Sequence, residues 1–275
     1  MSADNVVGVV LAVLLTGYLL VALLFPEKLA PAIERRKVTA QAAQAAALAE
    51  ANELRSALLQ AVSHDLRTPL AGIKASASSL RQLDIDWSDA DRREFLRTIE
   101  DETDRLTALV GNLLDMSRIQ AGAVAPATRP VGLEEVVPAA IAGLGERATK
   151  VEVDVPESLP PVRADPTLLE SVLANLIDNA LAHAPGGVPV RVEAGEVGGT
   201  VLVRVVDRGP GIRPDDRERV FQPFQRLGDS PSHGAGVGLG LAVAQGFTRA
   251  MGGDLAVDDT PGGGTTMVVE LAVAP

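Results

Sequence analysis

The chain has 275 residues, of which 36 are Asp or Glu and 25 are Lys or Arg, giving a formal charge of −11; that balance excludes a nonspecific grip on nucleic-acid phosphates, so no direct nucleic-acid partner is expected. No cysteine is present and the three His are scattered, which excludes disulfide frameworks, thiolate catalysis and Cys-ligated zinc and leaves oxygen ligands to hold any metal. At about 150 residues per domain the length suits roughly two domains rather than one large core.

The first predicted element is apolar. No residue between Asn5 and Glu27 is charged, and residues 6–25 are mostly Val, Leu, Ala and Gly; as a helix they would cover about 30 Å, the hydrocarbon thickness of a bilayer. A membrane span is expected there rather than a buried core helix. The run lacks the basic start, short apolar centre and cleavage site of a secretory signal. Lys28, Arg35, Arg36 and Lys37 follow it, whereas only Asp4 precedes it, so the positive-inside rule places the rest of the chain on the cytoplasmic side of the cell membrane.

From residue 39 to about Gln82 the chain is crowded with Ala, Leu, Glu and Gln, which predicts one long helix. Pro69 is expected to kink it, because the ring displaces the carbonyl four residues back and removes a ladder N–H. A second helix starts at Ser88, with Asp91 three residues on as its capping partner, and runs to about Gln120 before Gly122. Phe95, Ile99, Leu106, Leu109, Leu113 and Met116 recur at threes, fours and sevens, one apolar stripe opposite a charged face. A hairpin with one such stripe per helix is completed naturally by a dimeric four-helix bundle.

Past Pro126 the composition shifts to Val, Gly and Pro. Strands are expected at residues 150–155, 188–194, 200–206 and 265–273, interleaved with helices near 134–144, 166–183 and 237–251. The pattern predicts an α+β sandwich, with helices over one face of a mixed sheet.

Five groups of residues carry chemistry. In AVSHDLRTPL, residues 61–70, a histidine alone reads as a surface residue, but Asp65 beside His64 can hold or deprotonate the imidazole and keep one nitrogen nucleophilic near neutral pH. Thr68 and Pro69 follow, and the proline bend opens the helix surface. In NLIDNALAHAP, residues 175–185, Asn175 and Asn179 are four apart on one helix face, two neutral oxygen donors suited to Mg²⁺ that arrives with its own triphosphate; two solvated Asn are the plainer alternative. VVDRGPGI, residues 205–212, ends a strand with Asp207, able to accept from a ring amino group, and with Gly209 and Gly211, which let backbone approach a flat base. FQPFQRLGDSPSHGAG, residues 221–236, has Phe221 and Phe224 as an apolar anchor before a polar loop that brings Arg226 toward phosphates. Finally Gly236, Gly238 and Gly240 lead into an apolar helix, where bare amides and the helix dipole bind phosphate. No Gly-Lys-Ser/Thr follows and no βαβ unit leads in, so neither a Walker A loop nor a Rossmann fingerprint describes the site.

Taken in this order, the groups resemble the sensor histidine kinases: His64-Asp65 as the H box, Asn175 to Asn179 as the N box, Asp207 to Gly211 and Gly236 to Gly240 as the two G boxes, and Phe221 to Phe224 as the F box. The resemblance covers about residues 50–273. NLLDMSRIQAGA, LPPVRADPTLLESVLANLIDNAL, FQPFQRLGD and MGGDLAVDDTPGGGTTM resemble most the transmitter half of the Kdp potassium-sensor kinases. GYLLVALLFPEKL and the residues before it resemble the single-span KdpF subunit of the Kdp potassium-pumping ATPase.

The resemblance implies one transmembrane helix at 1–29, a helical linker at 30–54, a dimeric helical-hairpin phosphoacceptor domain at 55–122, and an ATP-binding α+β sandwich of the histidine kinase and Hsp90-like type at 123–275. It implies ATP and Mg²⁺, with the adenine amino group on Asp207, Mg²⁺ on Asn179 helped by Asn175, and phosphates over the Gly238–Gly240 amides. Further nucleotide contacts fall to Gly209, Gly211, Arg226, Gly236, Leu239 and Thr265. His64 would take the γ-phosphoryl group, with Asp65 as base or orienting acid and Thr68 serving dephosphorylation of the partner. The partners implied are a second copy of the chain, a KdpE-like response regulator, and Kdp ATPase subunits reached through the N-terminal span in the membrane. The N boxes of the family usually carry Lys or Arg where this chain has Ala182, which implies weaker nucleotide affinity. Two other readings stand beside the kinase: a non-signalling ATPase of the same fold, which would place a catalytic Glu where Asn175 stands, and a pump-associated protein whose kinase module is vestigial.

Overall fold

The computed structural model describes residues 62, 63, 65–82, 84–225 and 238–275, together with 13, 14 and 16. The chain divides into two compact units, residues 1–60 and 61–275, and every element below belongs to the second.

Helix α1 occupies residues 65–80 and continues without interruption through Pro69; the expected helical stretch at 39–61 lies outside the described residues. The link to the next helix is held by Trp87, whose indole N–H donates to the Ser79 carbonyl at 2.8 Å and whose ring meets Phe95 edge-on with centroids 5.0 Å apart. Helix α2 is Asp89–Gln120, and its start is the capping box read from the sequence. The Asp91 N–H donates to Ser88 Oγ at 3.2 Å, and the Ser88 N–H donates to Asp91 Oδ2 at 3.1 Å. Two orphan donors are thereby satisfied. Its end is a Schellman turn: Gly122 has φ 62, and the N–H groups of Gly122 and Ala123 donate to Ile119 and Arg118 carbonyls at 3.0 and 2.9 Å.

Among the described residues no helix is long and apolar enough to cross a membrane. This overturns the transmembrane helix of the expected fold class, and with it the single-pass cell-membrane placement. The physical reason lies in the helices present: α2 is long but charged in nearly every turn, and the 18 apolar-rich residues of the Asn-bearing helix are interrupted by Glu170 and Asp178. The apolar run at 6–25 lies outside the described residues apart from 13, 14 and 16.

The sandwich follows in the order β1 (Arg129–Val131), α3 (Leu133–Ala142), β2 (Val151–Asp154), β3 (Val162–Ala164), α4 (Pro166–His183), β4 (Val190–Val197), β5 (Thr200–Val206), α5 (Gly240–Ala250), β6 (Asp254–Asp259) and β7 (Thr265–Ala272). A five-stranded sheet has the order β2-β4-β5-β7-β6, and β1 pairs with β3 in a separate ribbon. Only β2 and β4 are parallel within the larger sheet; its other pairings are antiparallel. The mixed sheet is therefore as expected, while β1, β3 and β6 are additions to the sequence reading.

Strand alternation explains the layering. Along β5, Val201, Val203 and Val205 are buried while the residues between them are half-exposed, so one sheet face receives the helices. Helix α4 begins at Asp165, whose Oδ1 accepts from the N–H groups of Thr167 and Leu168 at 3.0 and 3.3 Å, followed by Pro166 at the first helical position. Its Leu169, Leu173, Leu176 and Ile177 are fully enclosed with Leu133, Met267 and Leu271 in one core. Met116, Ile119 and Val124 pack against that core from the end of the hairpin, so the last turns of α2 form part of the wall of the sandwich.

Candidate functional site

Four segments that are distant in sequence meet beside α4. Asn175 sits half-buried on its face, and its Nδ2 donates to the Ser171 carbonyl at 2.9 Å, which leaves Oδ1 as the outward oxygen. That Oδ1 faces the first residue of α5: a Cβ on Gly240 would lie 2.9 Å from it. Asn179 is one turn further on, and its carbonyl lies 2.9 Å from His183 Nδ1. At the end of α4 the His183 carbonyl crowds the Asp207 loop, since a Cβ on Gly209 would lie 2.7 Å away. Glycine is thus required at 209 by close approach to backbone rather than by conformation, whereas a side chain at 240 would displace the Asn175 amide.

Asp207 is 4% exposed. Its Oδ1 accepts from the N–H of Gly209 at 2.7 Å and of Thr265 at 3.0 Å, and its own N–H donates to the Thr265 carbonyl at 2.9 Å. Oδ2 accepts from none of the described residues, so the buried carboxylate keeps one acceptor for a donor arriving from outside. Gly211, at φ 76, packs near the Gly264 carbonyl.

The start of α5 offers amides. Leu239 at its N-cap makes no side-chain capping bond and no acidic residue occupies the first turn, so the positive end of the dipole is available to an anion. Gly238, at φ 74, would bring a Cβ within 2.6 Å of the Gln225 carbonyl, and its own carbonyl accepts from the Phe224 N–H at 2.9 Å. Phe224 itself has φ 65, a left-handed conformation that costs roughly 1–2 kcal/mol in a residue with a Cβ; the bond to Gly238 holds it there. Phe221 packs against the main core. Arg226 and Gly236 lie outside the described residues.

His64 also lies outside the described residues, while Asp65 and Thr68 are on α1. Between this region and the sandwich the structure shows an apolar contact: Leu109 of α2 and Leu239 are buried together, with Val62, Leu66, Met116 and Phe224 packed around them. Residues just either side of position 64 therefore pack into the same small cluster as the residue that lies between the two described glycines of the α5 start. A second contact lies further along, where a Cβ on Gly246 of α5 would come within 2.7 Å of Ile119 Cδ1. Sequence reasoning missed Gly246, whose signal is a glycine inside an apolar helix, and Gly264, whose signal is the run of three glycines before Thr265.

The donor set also bears on a metal. Among the described residues no group of three His, Cys, Asp or Glu gathers, so the oxygens on hand are the amides of Asn175 and Asn179. Amide oxygens suit a divalent cation whose charge is already met by a polyphosphate.

Residues 54–122 match the family described as His Kinase A (phospho-acceptor) domain, and residues 164–275 match the histidine kinase-, DNA gyrase B- and HSP90-like ATPases. Residues 6–28 match the F subunit of K⁺-transporting ATPase. The chain is 51% identical over 248 residues to a sensor protein KdpD of Mycobacterium tuberculosis, an alignment covering 87% of this chain and 28% of that protein. It is 35% identical to the sensor protein KdpD of Escherichia coli K12, over 88% of this chain and 27% of that protein. The chain thus spans a little over a quarter of the length of these relatives. Among solved structures, full-length ShkA in complex with AMPPNP is similar with a TM-score of 0.54 and 30% identity, covering 77% of this chain and 45% of that one.

Proposed function

We propose that this chain, which carries the phosphoacceptor and ATPase domains of the histidine kinases and belongs to that family, phosphorylates itself on His64 from ATP and passes the phosphoryl group to an aspartate of a response regulator. The observation that carries the reading is the buried Asp207, with one carboxylate oxygen saturated by two backbone N–H groups and the other accepting from none of the described residues, next to a helix start with no side-chain cap. Asp207 accepts the adenine amino group, with Gly209, Gly211 and Thr265 shaping the loop around the ring. The amides at Gly238, Leu239 and Gly240 receive phosphate oxygens, with Gly236 and Arg226 completing the phosphate side. Asn179, helped by Asn175 Oδ1, holds Mg²⁺, which when bound neutralises charge on the triphosphate.

A nitrogen of the His64 imidazole attacks the γ-phosphorus in line. The N–P bond forms as the bond to the β,γ-bridging oxygen breaks, and ADP leaves with that electron pair. Asp65 orients the ring and takes up its proton. Positioning and electrostatics supply nearly all of the catalysis in such transfers. Thr68 places the water that later removes the phosphoryl group from the regulator.

Exposed apolar residues on the hairpin, Leu70 on α1 and Leu96, Val110 and Leu114 on α2, support a homodimer closed through a four-helix bundle. The likeness to KdpD sensors supports a KdpE-like regulator and potassium-responsive control, and the match at residues 6–28 supports association with Kdp ATPase subunits. The domain assignment that goes with this reading is a phosphoacceptor hairpin at 55–122 and an ATP-binding domain at 123–275.

Incubation of the chain with γ-labelled ATP tests the reading. Acid-labile, base-stable label on the wild type and none on His64→Ala is the expected outcome. Steady phosphate release without label points instead to a non-signalling ATPase, and neither label nor release to a passive module.

A further inference from the structure

The nucleotide loop is clasped from outside by a turn that the reaction itself does not use. Residues 260–264 link β6 to β7, and Gly262, Gly263 and Gly264 have φ of 90, 105 and 116. Three successive glycines with positive φ give a turn with many alternative conformations when nothing holds it. Its approach to the Asp207 loop is close: a Cβ on Gly264 would lie 2.1 Å from the Asp207 carbonyl oxygen and 2.8 Å from Arg208 Cα. The next residue, Thr265, donates its N–H to Asp207 Oδ1 at 3.0 Å. The conformation of the turn therefore sets where the buried carboxylate points.

Arg208 follows Asp207 directly, and its guanidinium returns across the turn to donate to the Pro261 carbonyl, 3.1 Å from the position of a Gly262 Cβ. The neighbouring acid of the same hairpin, Asp259, is paired with Arg217 at 2.6 Å. Two arginines from the segment after β5 thus grip the β6–β7 hairpin, one at its strand end and one at its apex. The strand end is also fixed by sheet pairing of Asp259 with Thr265, and the turn is closed on itself by the Gly263 N–H on the Thr260 carbonyl at 2.9 Å and the Thr260 N–H on the Gly264 carbonyl at 3.3 Å; the Arg208 guanidinium on Pro261 ties this turn to the segment that carries Asp207.

We propose that Arg208 is a positioning residue for base recognition: by holding Pro261 it closes the triple-glycine turn over the Asp207 loop and fixes the carboxylate that reads the purine. The inference rests on the reading of this pocket as an ATP site and adds a determinant of its selectivity. With Oδ1 saturated and the turn closed, Oδ2 meets the amino group of adenine as an acceptor meets a donor, whereas the carbonyl of guanine at the same ring position presents a second acceptor and is repelled. With the turn open, the Thr265 N–H no longer fixes Oδ1, the carboxylate rotates, and both the attraction and the repulsion weaken.

The experiment compares wild type, Arg208→Ala and Arg208→Lys in the full chain, measuring ATP and GTP binding at millimolar Mg²⁺, the KM and kcat of autophosphorylation, and the melting temperature. For Arg208→Ala the expected result is a KM for ATP raised about three- to tenfold with kcat nearly unchanged, the scale of one ordinary hydrogen bond at an exposed site. The preference for ATP over GTP narrows by a similar factor. The Arg208→Lys variant, whose ammonium can still donate to the Pro261 carbonyl, recovers most of both. A wild type that prefers ATP while Arg208→Ala keeps its affinity and preference overturns the inference and leaves the ATP site standing. Equal losses for both nucleotides accompanied by a lower melting temperature also overturn it, in favour of a merely structural contact. A wild type that binds neither nucleotide overturns the reading of the pocket itself.

Discussion

Two of the described amphipathic helices, α4 and α2, are covered to very different degrees. Helix α4 has 18 residues and buries six of them, Leu169, Val172, Leu173, Leu176, Ile177 and Ala180, against the sheet and its neighbouring helices. Helix α2 has 32 residues and buries only Leu109, while Leu96 and Leu114 are 52% and 59% exposed. The apolar pattern is present in both, so the difference lies in what the rest of the chain supplies. The sheet completes α4 within one molecule. The hairpin offers α2 one partner helix along its length and the sandwich only at its last turns, where Met116 and Ile119 are covered. A stripe that one chain leaves open is a stripe available to another chain, and that contrast separates a sandwich whose core is closed within one molecule from a hairpin whose apolar face is not.

Truncating one leucine in each helix has the largest expected contrast. Leu173→Ala removes a fully buried side chain and is expected to cost about 2–5 kcal/mol, whereas Leu114→Ala should leave the stability of the isolated chain within about 0.5 kcal/mol. Thermal and urea unfolding of the two variants measures this, and equal losses would remove the distinction between the helices. Next in size, Leu113→Glu introduces a charge on the open stripe of α2. Its expected effect is a dimer at least about tenfold weaker, roughly 1.4 kcal/mol, with the fold of the sandwich intact; sedimentation equilibrium reads the first and circular dichroism the second. An unaltered dimer would mean that this stripe is not the one the second copy covers. The smallest effect concerns the solvent side of α4, where Ala182 is exposed. Ala182→Arg adds a cation to the face that carries Asn175 and Asn179 and is expected to tighten ATP binding about threefold, the scale of one partly screened ion contact. Unchanged affinity in a nucleotide titration would show that phosphate does not pass that edge.

Where local chemistry decides, the sequence is legible. Ser88 and Asp91 set the start of α2 through a box of hydrogen bonds within four residues, and Asp165 with Pro166 sets the start of α4 in the same way. The alternation of Val201, Val203 and Val205 marks β5 at the limits expected of it. The short strands β1 and β3 were not legible, because three residues each carry no period of their own and are set by pairing with one another and by a single bridge from Val162 to Val273. Strand β6 was hidden for a related reason: its acidic ends, Asp254 and Asp258–Asp259, disguise an apolar centre that β7 covers. The expected span at residues 6–25 rested on hydropathy and on the resemblance to a single-span subunit, and no described helix carries it.

The same division holds at the site. Composition and spacing alone determined which residue types could serve: the paired Asn, the acid before two glycines, the glycines before an apolar helix, and the histidine beside an aspartate. They act through neighbours three or four positions away, and such neighbours are fixed once a helix or turn forms. Tertiary structure alone decided which of these meet. Thr265 reaches Asp207 across 58 residues, Asn175 faces Gly240, and Leu239 is buried against Leu109. Contacts of that kind depend on strand order and on how helices settle on the sheet, which is set by burial of the whole core rather than by any stretch of sequence that can be read locally.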